Sequence, residues 1–131
     1  MASFRGQSDY LIVLEHQSQL EAVRPDFRKM SEDRTVRAVI VTAAGQEVDF
    51  VSRCFAPAAG IDEDPVTGSA HTTLTPYWAE RLGKSELVAR QLSPRGGTLY
   101  CAHRGERVTI AGEAVLYLRG EIYLDEEPSG S

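Results

Sequence analysis

Cysteine is scarce in this chain: Cys54 and Cys101 are the only two in 131 residues, and they form no CxxC pair. They cannot be the framework of a small disulfide-stapled domain, and with His16, His71 and His103 they make no zinc spacing. No metal site is expected, and the two thiols read as buried residues of a cytoplasmic protein. Long hydrophobic runs are missing as well. The longest early run, 10–14 (YLIVL), lies between Asp9 and Glu15, far short of a secretory core or of the ~20 residues a membrane helix needs. A soluble cytoplasmic chain with no membrane partner is expected. Positive charge is also in deficit: 14 Lys and Arg against 19 Asp and Glu give a formal net charge of −5. That is the wrong sign for neutralising phosphate backbones and argues against a nucleic-acid partner.

What is present is the make-up of one ordinary globular domain. Apolar residues are 42% of the chain and charged residues 25%. A chain of this length buries roughly 65% or more of its unfolded surface without staples. A single domain over 1–131 is expected, with an ordered core of about 7–124 and a flexible tail at 125–131 (DEEPSGS) that has nothing to bury.

Residues 9–15 (DYLIVLE) predict a strand. In 18–30, Leu20, Val23, Phe27 and Met30 recur as one helical face. Pro25 breaks that face near Arg24 into two short helices. Residues 36–42 and 48–55 predict a hairpin turning near Gly45. The loop 56–68 (APAAGIDEDPVTG) follows, and Ser69 then opens a helix that stops at Gly83. Leu74, Tyr77, Trp78, Ala79 and Leu82 make that helix apolar round much of its circumference, while Pro76 predicts a kink or a frayed first half. Short strands are predicted at 86–92, 98–103, 107–111, 113–118 and 121–124. One apolar helix among so many strands is best covered by a sheet that wraps it. The expected fold class is therefore α+β, an antiparallel β-barrel wrapped around a central α-helix.

Chemistry concentrates at 63–71 (EDPVTGSAH). Gly68 lets backbone approach a ligand, and Thr67 or Ser69 can cap a helix whose first N–H groups carry partial positive charge, which together make a cradle for an anion or carboxylate. Asp64 stands just before it, placed to exchange protons with a carboxylated substrate held there. The same residues also describe an ordinary capped helix behind a solvated acidic loop. His71 reads equally as a donor to a ligand or as a satisfied core histidine. Arg95, in the turn 93–97 (SPRGG), reads as a partner for a carboxylate or as a solvated turn residue.

The segments SRCFAP at 52–57, GIDEDPVTGSAH at 60–71, Tyr77-Trp78 and QLSPRGG at 91–97 closely resemble the PhzF-like isomerase family of phenazine biosynthesis. The likeness runs over nearly the whole chain and is to that family's C-terminal domain. It implies one half of a diaminopimelate epimerase-like fold, in which each domain is a β-barrel around a central helix. It implies cofactor-free proton transfer at carbon on a small carboxylated metabolite in the cleft between two domains. Carried over onto this sequence, Asp64 and Ser69 are the catalytic residues, while Thr67, Gly68, Ser69, His71 and Arg95 contact substrate. In the related epimerases a cysteine stands at about the place of Asp64, so Cys54, ten residues earlier, is not to be taken for a catalytic thiol.

The family's general base is a glutamate in an N-terminal domain, in a segment of the MQxxAxExNxSE kind, and that domain also supplies a GH motif. Residues 1–8 (MASFRGQS) contain neither. The resemblance therefore implies a cleft completed by a second copy of this chain, as a homodimer, or by a separate N-terminal-like domain. The alternatives are a non-catalytic module that binds a small carboxylate or phosphate, or a truncated half of a split enzyme.

Overall fold

The computed structural model describes residues 1–125. Seven strands, β1 (Ala2–Arg5), β2 (Asp9–Val13), β3 (Ala38–Ala44), β4 (Phe50–Phe55), β5 (Glu86–Gln91), β6 (Gly97–Arg104) and β7 (Arg107–Ala111), form one sheet in sequence order. Three helices accompany them: α1 (Gln17–Glu21), α2 (Phe27–Glu32) and α3 (Gly68–Leu82). The chain is thus mixed α+β, and no described helix is long and apolar enough to cross a membrane.

The sheet is mixed rather than antiparallel. β3 and β4 make the expected hairpin, with Val39 opposite Phe55 and Ala44 opposite Phe50. The pairs β2–β3 and β4–β5 run parallel, because each is joined by a helical crossover: α1 with α2 in the first, α3 in the second. The expected barrel is not closed, since β1 and β7 each have a single neighbour among the described residues. Two differences account for this. The strands expected at 113–118 and 121–124 are not there, the backbone from 112 to 125 taking no regular structure. An unexpected strand, β1, begins the chain, pairing Arg5 with Tyr10 and Ala2 with Val13. The expected tail at 125–131 falls, beyond Asp125, outside the described residues.

Side-chain alternation divides the core in two. On one face of the sheet, Leu11, Ile40, Phe50, Cys54, Ala89 and Leu99 pack against Ala70, Leu74, Trp78 and Ala79 of α3. On the other, Val41, Val51 and Phe55 pack against Leu20 of α1 and Phe27 and Met30 of α2. β4 is buried along its whole length because both faces are covered. Each fully buried Leu or Phe in these layers contributes roughly 1.5–3 kcal/mol. Trp78 stacks on Phe50 with ring centres 6.0 Å apart and its indole N–H donates to Thr42 Oγ1 at 3.0 Å, so its polar atom is satisfied within the core. Helix α3 also reaches the first strand, Phe4 meeting Tyr77 edge-on at 5.9 Å.

Pro76 removes one donor from α3 without ending it, and the helix is continuous from Gly68 to Leu82. It stops at Gly83, whose φ of 64° is one that glycine adopts without steric cost. Cys54 and Cys101 are both unpaired and buried, and burial pushes both thiols up, away from the reactive thiolate form.

Candidate active site

The loop between β4 and α3 is held from three directions. At its start, Pro57–Ala59 forms a single 3₁₀ turn closed by Gly60 at φ 87°, and Ala56 bridges to Ile61. Next, Glu63 forms a two-pronged ion pair with Arg53, Nε to Oε1 at 2.8 Å and Nη2 to Oε2 at 3.0 Å. Arg53 also donates to the carbonyls of Leu20 and Val23, at 3.1 and 2.9 Å, which ties the loop to the end of α1. Glu63 is therefore a buried partner in an ion pair, not one more solvated charge of an acidic loop.

The third hold is Gln91, fully buried at the end of β5. Its Nε2 donates to the carbonyl of Asp64 at 2.8 Å and to Thr67 Oγ1 at 3.1 Å, and its Oε1 accepts from the Thr67 N–H at 2.8 Å. The Ser93 hydroxyl donates to the Pro65 carbonyl at 2.7 Å and accepts from the Gly96 N–H at 2.9 Å. The turn at 93–97 thereby lies against the loop so closely that a Cβ on Gly97 would clash with Val66 Cγ2. Glycine is the residue that fits there.

These holds present Asp64. Its N–H donates to the Cys54 carbonyl at 2.9 Å, and its Oδ2 accepts a short hydrogen bond from the Thr67 hydroxyl. Thr67 therefore accepts from Gln91 and passes a donor on to Asp64, so the carboxylate is oriented by a relay that starts in the core. Oδ1 of Asp64 takes no hydrogen bond from the described residues. The half-buried carboxyl lies on a cavity of about 170 Å³, whose wall also includes Asp9, Arg37, Cys54, Thr67 and Ser69. A larger depression of about 680 Å³ lies at the C-terminal end of α3, where Lys84 is paired with Asp49, and it gathers none of the candidate catalytic or substrate-binding residues read from the sequence.

Thr67 occupies the N-cap position of α3, but neither it nor Ser69 caps the helix as expected, because the Thr67 hydroxyl is turned to Asp64 instead. The first-turn N–H groups are left without a side-chain acceptor, the arrangement that favours an anion. Space is open where a Cβ of Gly68 would be, and Ser69 is exposed with its hydroxyl uncommitted.

Of the residues expected to contact substrate, Thr67 and Ser69 line this cavity, while Gly68, at the helix start between them, His71 and Arg95 do not. His71 is 0% exposed. Its Nδ1 donates to the Thr67 carbonyl at 2.7 Å, its Nε2 has no partner, and its ring lies 5.8 Å from that of Phe50. It is a core histidine whose single bond helps to fix Thr67. Arg95 is exposed on the 93–97 turn and is absent from the cavity wall. Arg37 and Asp9 were not singled out from the sequence, yet they stand on that wall as a two-pronged pair, Nη2 to Oδ2 at 2.8 Å and Nε to Oδ1 at 3.2 Å. The hydrogen bond and charge of Asp9 raise the Arg37 pKa further above its ordinary value. Spacing gave no clue to this pair or to Gln91. Among the described residues no cluster of three or more His, Cys, Asp or Glu is arranged to hold a metal ion.

Burial lowers the pKa of His71 and so keeps the imidazole neutral, with the bond to Thr67 opposing only in part. Below the ordinary value of 6.5 the unfolded chain takes up a proton that the folded one refuses. Stability from this residue is therefore whole above pH 6.5 and is lost as pH falls toward the lowered folded value. Thermal melts from pH 8 to pH 5 on the order of one pH unit apart should show this loss in the native chain and its absence in His71→Asn, whose amide N–H keeps the bond to Thr67. Parallel curves would show that His71 is not the titrating group.

Fold and site together define a mixed α+β domain that presents one carboxylate beside the uncapped end of its longest helix. A family model described as phenazine biosynthesis-like protein, PhzC-PhzF, matches residues 1–120. An uncharacterised isomerase of Pseudomonas aeruginosa is 57% identical over 120 residues, which are 91% of this chain and 46% of that protein. A crystal structure of a PhzF-family phenazine biosynthesis protein from Enterococcus faecalis superposes with a TM-score of 0.83 at 46% identity, covering 93% of this chain and 46% of that one. A second crystal structure, of a PhzC/PhzF protein from Clostridium difficile, superposes with a TM-score of 0.82 at 39% identity over 93% of this chain and 47% of its own. This chain belongs to the phenazine biosynthesis-like, PhzC-PhzF, family, and spans about half the length of the relatives it matches.

Proposed function

We propose that this chain supplies one wall of an acid/base isomerase site, in which Asp64 exchanges a proton with a carbon atom of a small carboxylated metabolite. The observation that carries the reading is the state of the Asp64 carboxyl. One oxygen is fixed by Thr67, while the other takes no hydrogen bond from the described residues and lies at a cavity that also holds Ser69. A group so placed is oriented and still has an oxygen open to a bound substrate, which is what proton transfer requires. The hydroxyl of Ser69 and the first-turn N–H groups at Gly68 and Ser69 bind the substrate carboxylate, and Thr67 holds Asp64 toward it. The resemblance implies that the family's general base, a glutamate, stands on the opposite wall, so the site is read as completed by a second acid/base group facing Asp64. A further domain supplies it, either a second copy of this chain or the other half of the family's length, and the 46% coverage of the Pseudomonas relative favours the latter. The reading as one half of an epimerase-like fold rests on the resemblance carried by residues 52–57, 60–71 and 91–97. The unpaired thiols support a cytoplasmic setting. No cofactor is invoked.

The test is deuterium incorporation at carbon, followed by NMR in D2O over a panel of small carboxylates. The protein is this chain co-expressed with the half of the Pseudomonas aeruginosa relative that it does not match. Incorporation into at least one carboxylate is expected. Saturable binding without exchange would reduce the site to a holding module, and neither binding nor exchange would remove the reading.

A further inference from the structure

Proton transfer by Asp64 makes no use of the ion pair that shares its cavity. Arg37 and Asp9 stand on that wall with Asp64, Thr67 and Ser69, and Arg37 is the one cation among the residues that line it. Arg53 shows what an arginine with a purely structural task looks like in this fold. It spends Nε and Nη2 on Glu63 and Nη1 on the carbonyls of Leu20 and Val23, and its side chain is 10% exposed. Arg37 spends Nε and a single Nη2 hydrogen on Asp9, bonds through its side chain to nothing else among the described residues, and is 56% exposed.

A guanidinium is flat and can meet a carboxylate two-pronged along its side edge, Nε with Nη2, or along its end edge, Nη1 with Nη2. Asp9 takes the side edge, at 3.2 and 2.8 Å. The end edge is left with both Nη1 hydrogens and the second Nη2 hydrogen. The pair is also fixed in place. Asp9 faces Ala38 at the first rung of the parallel β2–β3 pair, and the Arg37 N–H donates to the Ser8 carbonyl at 2.7 Å. The guanidinium is therefore held before any ligand arrives, which lowers the entropy cost of binding. Both oxygens of Asp9 are committed to that task, so Asp9 is not open to an ammonium group.

We propose that Arg37 decides the substrate class of this site: the end edge of its guanidinium binds a second anionic group, a carboxylate or a phosphate, on a substrate whose first carboxylate lies at Gly68 and Ser69. The proposal rests on that placement of the first carboxylate and not on proton transfer by Asp64. A cavity of about 170 Å³ is near the size that holds a benzene ring, so the spacer between the two anionic groups is short. Asp9 and Asp64 set two carboxylates against one cation on this wall. Net charge thus works against a dianion, and the direct two-pronged contact carries the recognition. Asp9 is a positioning residue for Arg37.

The test titrates the full chain with four probes: succinate, succinamate (one carboxylate replaced by an amide), 3-phosphonopropionate, and β-alanine (an ammonium in that place). NMR follows the amide signals of Gly68 and Ser69 and the Nε–H signal of Arg37. Succinate or 3-phosphonopropionate should bind about 10–100-fold more tightly than succinamate, the usual worth of hydrogen bonds to a charged group, and the tighter of the two tells a carboxylate from a phosphate. Arg37→Gln should erase that difference while succinamate binds as before, and Arg37→Lys should restore part of it. Because Arg37→Gln leaves Asp9 without its partner, Asp9→Asn with Arg37→Gln is measured beside it. That double variant removes both charges together and should show the same loss in a chain that melts as the native one does. Asp64→Asn should keep the preference, so recognition by Arg37 and proton transfer are read apart. Equal binding of succinate and succinamate at Gly68 and Ser69, a preference that survives Arg37→Gln, or tighter binding of β-alanine would each overturn the proposal and leave the first carboxylate in place. Signals of Gly68 and Ser69 that move with none of the probes would remove that placement and the proposal with it.

Discussion

Asp64→Asn should reduce deuterium incorporation at carbon by about 10²–10⁴-fold, the usual worth of a positioned acid or base, while leaving the fold intact. Asparagine has the shape of aspartate and keeps a carbonyl oxygen to accept from the Thr67 hydroxyl, so the relay from Gln91 survives. The backbone bonds of Asp64 to Cys54 and Gln91 do not involve the side chain and are unaffected. What disappears is the ionisable oxygen at the cavity. The measurement is initial rates in D2O with the completed two-half complex, beside melting curves of both proteins. A variant that turns over at the native rate would show that the proton passes through another group. Because the loss lies in chemistry and not in holding substrate, the dissociation constant should move far less than the rate.

Arg53→Met should cost about 3–5 kcal/mol of stability, the typical penalty for removing one partner of a buried ion pair. Arg53 and Glu63 have side chains only 10% and 12% exposed. Methionine would fill part of the volume over the Phe55 ring, which the guanidinium now covers at 4.9 Å, but would leave the Glu63 carboxylate without its donors, while the carbonyls of Leu20 and Val23 would keep only the Val23 N–H and Arg24 Nη1. The double variant Arg53→Met with Glu63→Leu should regain much of the loss, because no buried carboxylate then remains unpaired. Chemical denaturation of the three proteins checks both statements. Equal stability of the native chain and Arg53→Met would mean that water satisfies Glu63 and that the pair is not a structural tie. Since Glu63 directly precedes Asp64, the single variant should also release the loop that presents the site, giving faster amide exchange across 61–67.

Much of this was legible without coordinates. The break at Pro25, the stop at Gly83 and the hairpin of β3 and β4 all depend on residues near one another in the chain, and each was read correctly; α3, expected to be apolar round much of its circumference, buries one face, with Thr72, Thr73, Glu80, Arg81 and Leu82 exposed. Asp64 and Thr67 were legible as neighbours because they lie three residues apart. β1 was missed because Ala2–Arg5 has little apolar content, and its strand form comes from pairing with β2. The segment 113–124 was read as strands from its composition, and the absence of a sheet around it is a fact about what surrounds it, not about its residues.

The sequence by itself determined which residues are apolar and in what period, where helices begin and stop, and which short motif carries an acid beside a helix end. Tertiary structure alone decided that β2–β3 and β4–β5 run parallel, that His71 faces the core, and that Gln91, Arg53 and the Asp9–Arg37 pair surround the Asp64 loop. The physical reason is the range of the interactions. Propensity and periodicity act over a few neighbouring residues, whereas a buried polar group must find its partner wherever the folded chain brings one, as Gln91 does 27 residues from Asp64 and Arg53 does 33 residues from Leu20.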